Sequence, residues 1–244
     1  MRSYVIGDIH GQLELLRGAH ARIAADRELT GDTRSPVIHL GDLTDRGPDS
    51  HGVIEFLLAG HAAGENWPVI KGNHDRMFTG YFGDRDYHDP NLTPELEWLH
   101  PRLGGLQTLA SYGVEIGDAS DRRALHSQAT EMVPAAHIAF LNALPLMLRR
   151  GPCVFVHAGI RPGIALDQQA EDDLIWIRTG FLEDARDHGP LVVHGHTALE
   201  APQHHGNRVN LDSGAGYGRP LTAAVIEDRT VFVLEEDGRR ALTP

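Results

Sequence analysis

Short apolar runs that end abruptly in glycine and polar residues recur along this chain, and that repeated junction limits the available folds more than any other feature. The runs are Tyr4 to Ile6, Val37 to Leu40, Val69 to Ile70, Val154 to Val156, Leu191 to Val193 and Leu221 to Ile226. Each reads as a short buried strand. The junctions include Gly7-Asp8-Ile9-His10-Gly11, Gly41-Asp42, Gly72-Asn73-His74-Asp75, His157-Ala158-Gly159 and His194-Gly195-His196. Helical patterns fill the intervals at Gln12 to Ala25 and Ser50 to Ala63. Strands and helices therefore alternate through mostly short loops, and an α/β fold is expected. Ligands bind such sheets where the strands end, which is where the polar clusters fall.

A chain of 244 residues can bury a sizeable core, and no linker divides it, so a single domain over 1–244 is expected. The stretch from about 79 to 133 is less regular. It holds a charged and aromatic piece, Tyr81 to Tyr87, a proline-bounded piece, Pro90 to Pro101, and Gly104-Gly105. It reads as a mainly helical insertion covering the site, and Glu235 to Pro244 reads as a polar terminal tail. The formal charge of −12 argues against broad binding to a nucleic-acid backbone or an anionic membrane surface. Clustered carboxylates repel one another until a cation neutralises them, so part of that charge could serve divalent metals. No apolar run reaches the roughly 20 residues of a membrane-spanning helix. The single cysteine, Cys153, forms no internal disulfide, and Met1 leads straight into an apolar strand, so a reducing cytoplasm is the expected location.

The clusters carry metal chemistry. Asp8 and His10 flank one residue in a glycine-bounded turn and can aim a carboxylate and an imidazole at one point. Asp42, Asn73, His74, His157 and His196 repeat the placement after later strands, and Asp42 can bridge two cations. Mixed oxygen and nitrogen donors suit Mn, Fe or Zn better than Ca or Mg. A lone Asp-x-His is a weak signal, but its recurrence at five strand ends is not. In order, Gly7 to Gly11, Gly41 to Pro48 (GDLTDRGP), Gly72 to Asp75 (GNHD), His157 to Gly159 (HAG) and Gly195 to Thr197 (GHT) resemble the signature of the bacterial phosphoprotein phosphatases, within the calcineurin-like metallophosphoesterase superfamily.

That resemblance spans almost the whole chain. It implies a four-layer fold, a β-sandwich of two mixed sheets flanked by helices, with a dimetal centre in the loops at the strand ends. One metal would be held by Asp8, His10 and Asp42, and the other by Asp42, Asn73, His157 and His196, with Mn the usual occupant. His74 would be the general acid and Asp45 the carboxylate that orients it; Arg46, Arg178 and Asn73 would hold the phosphate. The implied activity is hydrolysis of phosphomonoesters, foremost on phosphorylated serine or threonine in proteins, with small phosphoesters also open. Symmetrical dinucleoside tetraphosphate hydrolases share several elements and are the alternative, yet Asp45 and Thr197 favour the phosphatase branch. Gly72 to Asp75 departs from the usual eukaryotic pattern by ending in Asp, and Tyr217 is a loose counterpart of that group's active-site tyrosine. A catalytically silent phosphate-binding module is disfavoured, because Asp42, His74, Arg46 and Arg178 are all present.

Other residues read blandly. His194 is expected beside the site or in solvent, His39 as a packed strand residue, and His204-His205 as loop. Cys153 reads as a small buried hydrophobe. His20, His51, His61, His88, His100, His126, His137 and His188 lack motif context.

Overall fold

The computed structural model describes residues 1–117 and 121–244. The expected insertion over 79–133 thus includes three positions, 118–120, outside the described residues. Two five-stranded mixed sheets face each other. The first has the order β10-β9-β8-β1-β2, built from β1 (Arg2–Ile6), β2 (Val37–His39), β8 (Ala223–Glu227), β9 (Thr230–Glu235) and β10 (Gly238–Leu242). The second has the order β3-β4-β5-β7-β6, from β3 (Met147–Arg150), β4 (Cys153–Val156), β5 (Leu191–His194), β6 (Gln203–His204) and β7 (Arg208–Asn210). The parallel pairs β1·β2, β4·β5 and β5·β7 point their C-terminal ends the same way within each sheet, and the loops that follow them carry the polar clusters.

Side-chain alternation explains the layering. Successive strand residues face opposite ways, so Val5, Phe155, Val193 and Val209 meet between the sheets, whereas Tyr4 and Ile6 point outward on one side and Val154 and Val156 on the other. The first outer face is covered by helices α1 (Leu13–Thr30), α2 (Ser50–Ala62) and α3 (Asn73–Gly83), together with α4 (Gly105–Ser111), α5 (Arg122–Met132) and α6 (Ala135–Ala143). The second is covered by α7 (Glu171–Trp176) and its flanking loops. Two mixed sheets between helices are the arrangement that the resemblance implies.

Local chemistry sets the helix ends that matter for the site. Asp49 caps α2 by accepting the Gly52 N–H at 2.7 Å. Asp75 accepts from Gly72 N–H and from Leu43 N–H, both at 2.9 Å, tying the start of α3 to the loop after β2. The aspartate that ends GNHD is therefore a backbone staple.

Some expectations need correction. Val69-Ile70 makes only an isolated bridge, Val69 to His39, and forms no strand of its own. Glu235 to Pro244 is no tail: Gly238–Leu242 pairs antiparallel with β9, and Arg239 grips Asp26 of α1 at 2.6 and 2.8 Å. An exposed edge strand carries charge on both faces and so lacks an apolar signature. His204 belongs to β6. His194 is fully buried against Phe181 and is not solvated. Two other expectations hold: His39 is fully buried, with its ring bonded to Pro68 O and His20, and Cys153 is buried, which pushes its thiol up to about 11.

Candidate metal centre

The loops after β1, β2, β4 and β5 and the first turn of α3 converge, and they bring Asp8, His10, Asp42, Asn73, His74, His157 and His196 into one buried cluster. Asp42 lies at its middle. One carboxylate oxygen is 3.5 Å from His10 Nε2, and the other is 3.3 Å from His157 Nε2 and accepts the His74 N–H at 2.9 Å. Asn73 Oδ1 is 3.0 Å from His157 Nε2 and accepts from His196 Nδ1 at 2.9 Å. Asp8 joins from β1 by accepting the His196 N–H at 2.8 Å. A Cβ on Gly195 would stand 1.9 Å from Asp8 Oδ1, so this approach needs glycine. Two His/Asp groups, His10-Asp42-His74 and Asp42-His157-His196, share Asp42, each with donor atoms within 4.8 Å.

The backbone is strained to achieve this. Of the six described non-glycine residues with left-handed φ, five are His10, Asp42, Asp45, Arg46 and His196, at 47° to 75°. Such conformations are worth about 1–3 kcal/mol of strain each and persist only where the surroundings force them.

Second contacts orient the imidazoles. His10 Nδ1–H donates to Thr44 O and His157 Nδ1–H to Leu40 O, both at 2.8 Å, which turns each Nε2 toward Asp42. His74 is held differently. Its Nδ1–H donates to Asp45 Oδ2 at 2.6 Å, and Asp45 also accepts from Trp98 Nε1 at 2.9 Å and Thr108 Oγ1 at 2.6 Å. Arg46 donates to His74 Nε2 at 2.9 Å and contacts His10 Nε2. Arg178 reaches His196 O at 3.3 Å.

The electrostatics fit a cation. Burial and the neighbouring Asp212 carboxylate push Asp8 well above the ordinary carboxylate range. Burial alone would raise Asp42 too, but the imidazoles of His157, His74 and His10 hold it well below that range. Burial opposes charge on His157, yet Asp42 and Asp8 raise it to about 10. Protons thus balance a negative hole that divalent ions would fill, releasing those protons on binding. Asp8 Oδ1 and His196 Nε2 are buried without any hydrogen-bond partner, the state of a ligand atom awaiting an ion. Burial also pushes Asp45 up to about 7, against its hydrogen bonds, and takes His74 down to about 3.

A cavity of ≈ 570 Å³ opens beside the cluster. His74, Asp42 and Asn73 form its floor; Arg46, Arg102, Arg178 and Arg219 line it, with Trp176 and Tyr217. The Arg46 guanidinium lies 4.8 Å over the Tyr217 ring. Of the residues expected at the site, Asp42, Arg46, Asn73, His74, Arg178 and His196 line this cavity, and Asp8, His10, Asp45 and His157 lie buried in the adjoining cluster. Reading the sequence missed Asp212, Trp98, Thr108, Arg102 and Arg219. Asp212 had a findable signal, since Asn210-Leu211-Asp212-Ser213-Gly214 repeats the strand-end junction after β7.

Comparison with known proteins agrees with this geometry. A relative from Geobacillus thermodenitrificans, named asymmetrical bis(5'-nucleosyl)-tetraphosphatase PrpE, is 28% identical, covering 90% of this chain and 88% of its own. Two crystal structures share the fold. A candidate diadenosine tetraphosphatase has TM-score 0.62 at 21% identity, covering 95% of this chain and 92% of its own. A cold-active protein-tyrosine phosphatase from a psychrophilic Shewanella species has TM-score 0.60 at 15%, covering 99% and 80%. The profile of the calcineurin-like phosphoesterases matches residues 1–221. With the fold, the shared carboxylate and the imidazoles in place, the chain belongs to the calcineurin-like phosphoesterase family, metal-dependent phosphoester hydrolases that work through a dimetal centre.

Proposed function

We propose that this chain, one domain over 1–244, hydrolyses dinucleoside polyphosphates asymmetrically, cleaving diadenosine tetraphosphate to ATP and AMP. The observation that carries this reading is the set of arginines. Arg46 and Arg178 suffice for one phosphoryl group, whereas Arg102 and Arg219 line the same cavity and add positive charge that suits a chain of phosphates. Trp176 and Tyr217 offer ring faces for a base. The names of the relatives support the same substrate class.

In this reading Asp8, His10 and Asp42 hold one cation and Asp42, Asn73, His157 and His196 the other, Mn first and Fe or Zn as alternatives. Bound there, two divalent ions would lower the pKa of a water and withdraw charge from phosphoryl oxygens. The residues do the rest. Arg46 leaves His74 and, with Arg178 and Asn73, clamps the reacting phosphate. The negative charge of that phosphate replaces the guanidinium beside His74 and favours its imidazolium. Asp45, fixed by Trp98 and Thr108, aims the ring, and Nε2 delivers the proton to the leaving oxygen.

One observation favours a second reading, hydrolysis of phosphoserine or phosphothreonine. A phosphate leaving group is a weak base and needs little acid catalysis, whereas a serine alkoxide needs a great deal, and the buried 2.6 Å Asp45–His74 contact would orient a proton donor for it once His74 is protonated. The test is product analysis with Mn-loaded protein, diadenosine tetraphosphate and a phosphoserine peptide in parallel. ATP and AMP support the proposal, two ADP refute asymmetry, and phosphate released from the peptide alone establishes the second reading.

A further inference from the structure

Outside the catalytic cluster, His51, Glu55 and His137 bring donor atoms within 4.8 Å of one another. His51 and Glu55 stand four residues apart on α2, hence on one helix face, and His137 reaches them from α6. His137 Nε2 is 2.8 Å from Glu55 Oε1, and His51 Nε2 is 3.8 Å from the same oxygen. We propose that these three side chains form a second cation site of the zinc type, sharing no ligand with the catalytic centre.

Two imidazoles and one carboxylate are a donor set that zinc takes with a water in the fourth position. His137 is buried, while the side chains of His51 and Glu55 are 41% and 55% exposed, so an ion can enter from solvent and keep that water. His137 Nδ1 lies 2.9 Å from Oη of the buried Tyr112. When Nδ1–H donates to Tyr112, Nε2 turns its lone pair to the cluster, and an orienting contact of this kind accompanies most metal-bound histidines. The ion replaces the hydrogen that Nε2 shares with Glu55, and the imidazole carries it on Nδ1 instead.

The distances need little adjustment. Zinc bonds of about 2.0–2.1 Å at tetrahedral angles place donor atoms roughly 3.3 Å apart. The short Glu55 contact must open, and the long one close, by about half an ångström to reach that spacing. The exposed Glu55 side chain is free to adjust, and the His51 and His137 donor atoms already lie within 4.8 Å of each other. In the absence of an ion, His51 Nε2 at 3.8 Å is too far from Glu55 to hydrogen-bond, though its ring already faces His137 at 5.5 Å. An ion would give it a partner.

Such a site would brace α2 against α6. The same turn of α2 carries Ser50, whose Oγ accepts the Asp45 N–H, while the His51 N–H donates to Ser111 of α4. The expected effect is therefore on stability.

Metal-free wild type and the variants His51→Ala and Glu55→Ala, both altered at positions open to solvent, are equilibrated with zinc, freed of excess and analysed for bound metal and thermal unfolding. The proposal expects one zinc more on the wild type than on either variant, and a larger rise in Tm with zinc for the wild type. Equal zinc content in all three proteins overturns it. In an Asp42→Asn background the same one-zinc difference should persist, and its disappearance there would assign the extra zinc to the catalytic cluster and overturn the proposal.

Discussion

Thr108→Val tests how Asp45 is held. Thr108 is fully buried, its Oγ1 donates to Asp45 Oδ1 at 2.6 Å, and the same oxygen accepts the Asp45 N–H at 2.8 Å. Valine has nearly the same shape, so no cavity forms, and the Asp45 N–H keeps Ser50 Oγ at 3.1 Å. What is lost is a hydrogen bond to a carboxylate, about 1.5–3 kcal/mol. For a chain of this size each kcal/mol shifts Tm by about 2–4 °C, so thermal unfolding should move down by roughly 3–12 °C. Loss of one anchor also lets Asp45 turn away from His74, and a misplaced catalytic group can lower the rate by up to about 10²-fold. Mn-dependent turnover of whichever of the two substrates the protein hydrolyses should fall accordingly, while Thr108→Ser should retain most of both properties. An unchanged Tm together with an unchanged rate in Thr108→Val would refute the view that this hydroxyl positions Asp45.

The phosphate-chain reading expects Arg219→Ala to raise KM for diadenosine tetraphosphate by about tenfold or more, as loss of a charge-assisted contact should, and to leave kinetics on a phosphoserine peptide unchanged; equal effects on both would remove Arg219 from chain binding. The edge strand β10 is tied to α1 by Arg239 and Asp26. Burial pushes the Asp26 carboxyl up, but its bonds to Arg239 and Tyr4 outweigh this and depress it. A depressed carboxyl stabilises above its unfolded value and loses that contribution as pH falls. Arg239→Ala should therefore cost about 3 kcal/mol at neutral pH and much less once pH falls below the ordinary aspartate range, as read by denaturant unfolding at both pH values; an equal loss at both would contradict the pairing.

Much of the catalytic cluster was legible because Asp8, Asp42, His157 and His196 each follow an apolar run whose burial shows in composition. Asp212 escaped because β7, Arg208–Asn210, contains an arginine and an asparagine and does not look like a strand. The edge strand β10 escaped for a related reason: its Arg239 and Arg240 find partners in Asp26 and Glu235, which only the fold brings near. Trp98 and Thr108 lie 53 and 63 residues from Asp45, and nothing local marks contacts of that range. The arginines of the cavity were visible only where a motif named them, so Arg46 and Arg178 were found while Arg102 and Arg219 were not. The expectation of a protein substrate rested instead on Asp45 and Thr197, and the proposed polyphosphate reading draws on the two arginines that no motif marked.

The most direct measurement is the metal content of Mn-equilibrated wild type and Asp42→Asn, taken alongside their hydrolysis of diadenosine tetraphosphate. If Asp42 bridges the centre, as its position between His10 at 3.5 Å and His157 at 3.3 Å suggests, the variant should lose Mn from both positions and activity together. A variant that keeps the wild-type Mn content and rate would contradict a shared bridging carboxylate.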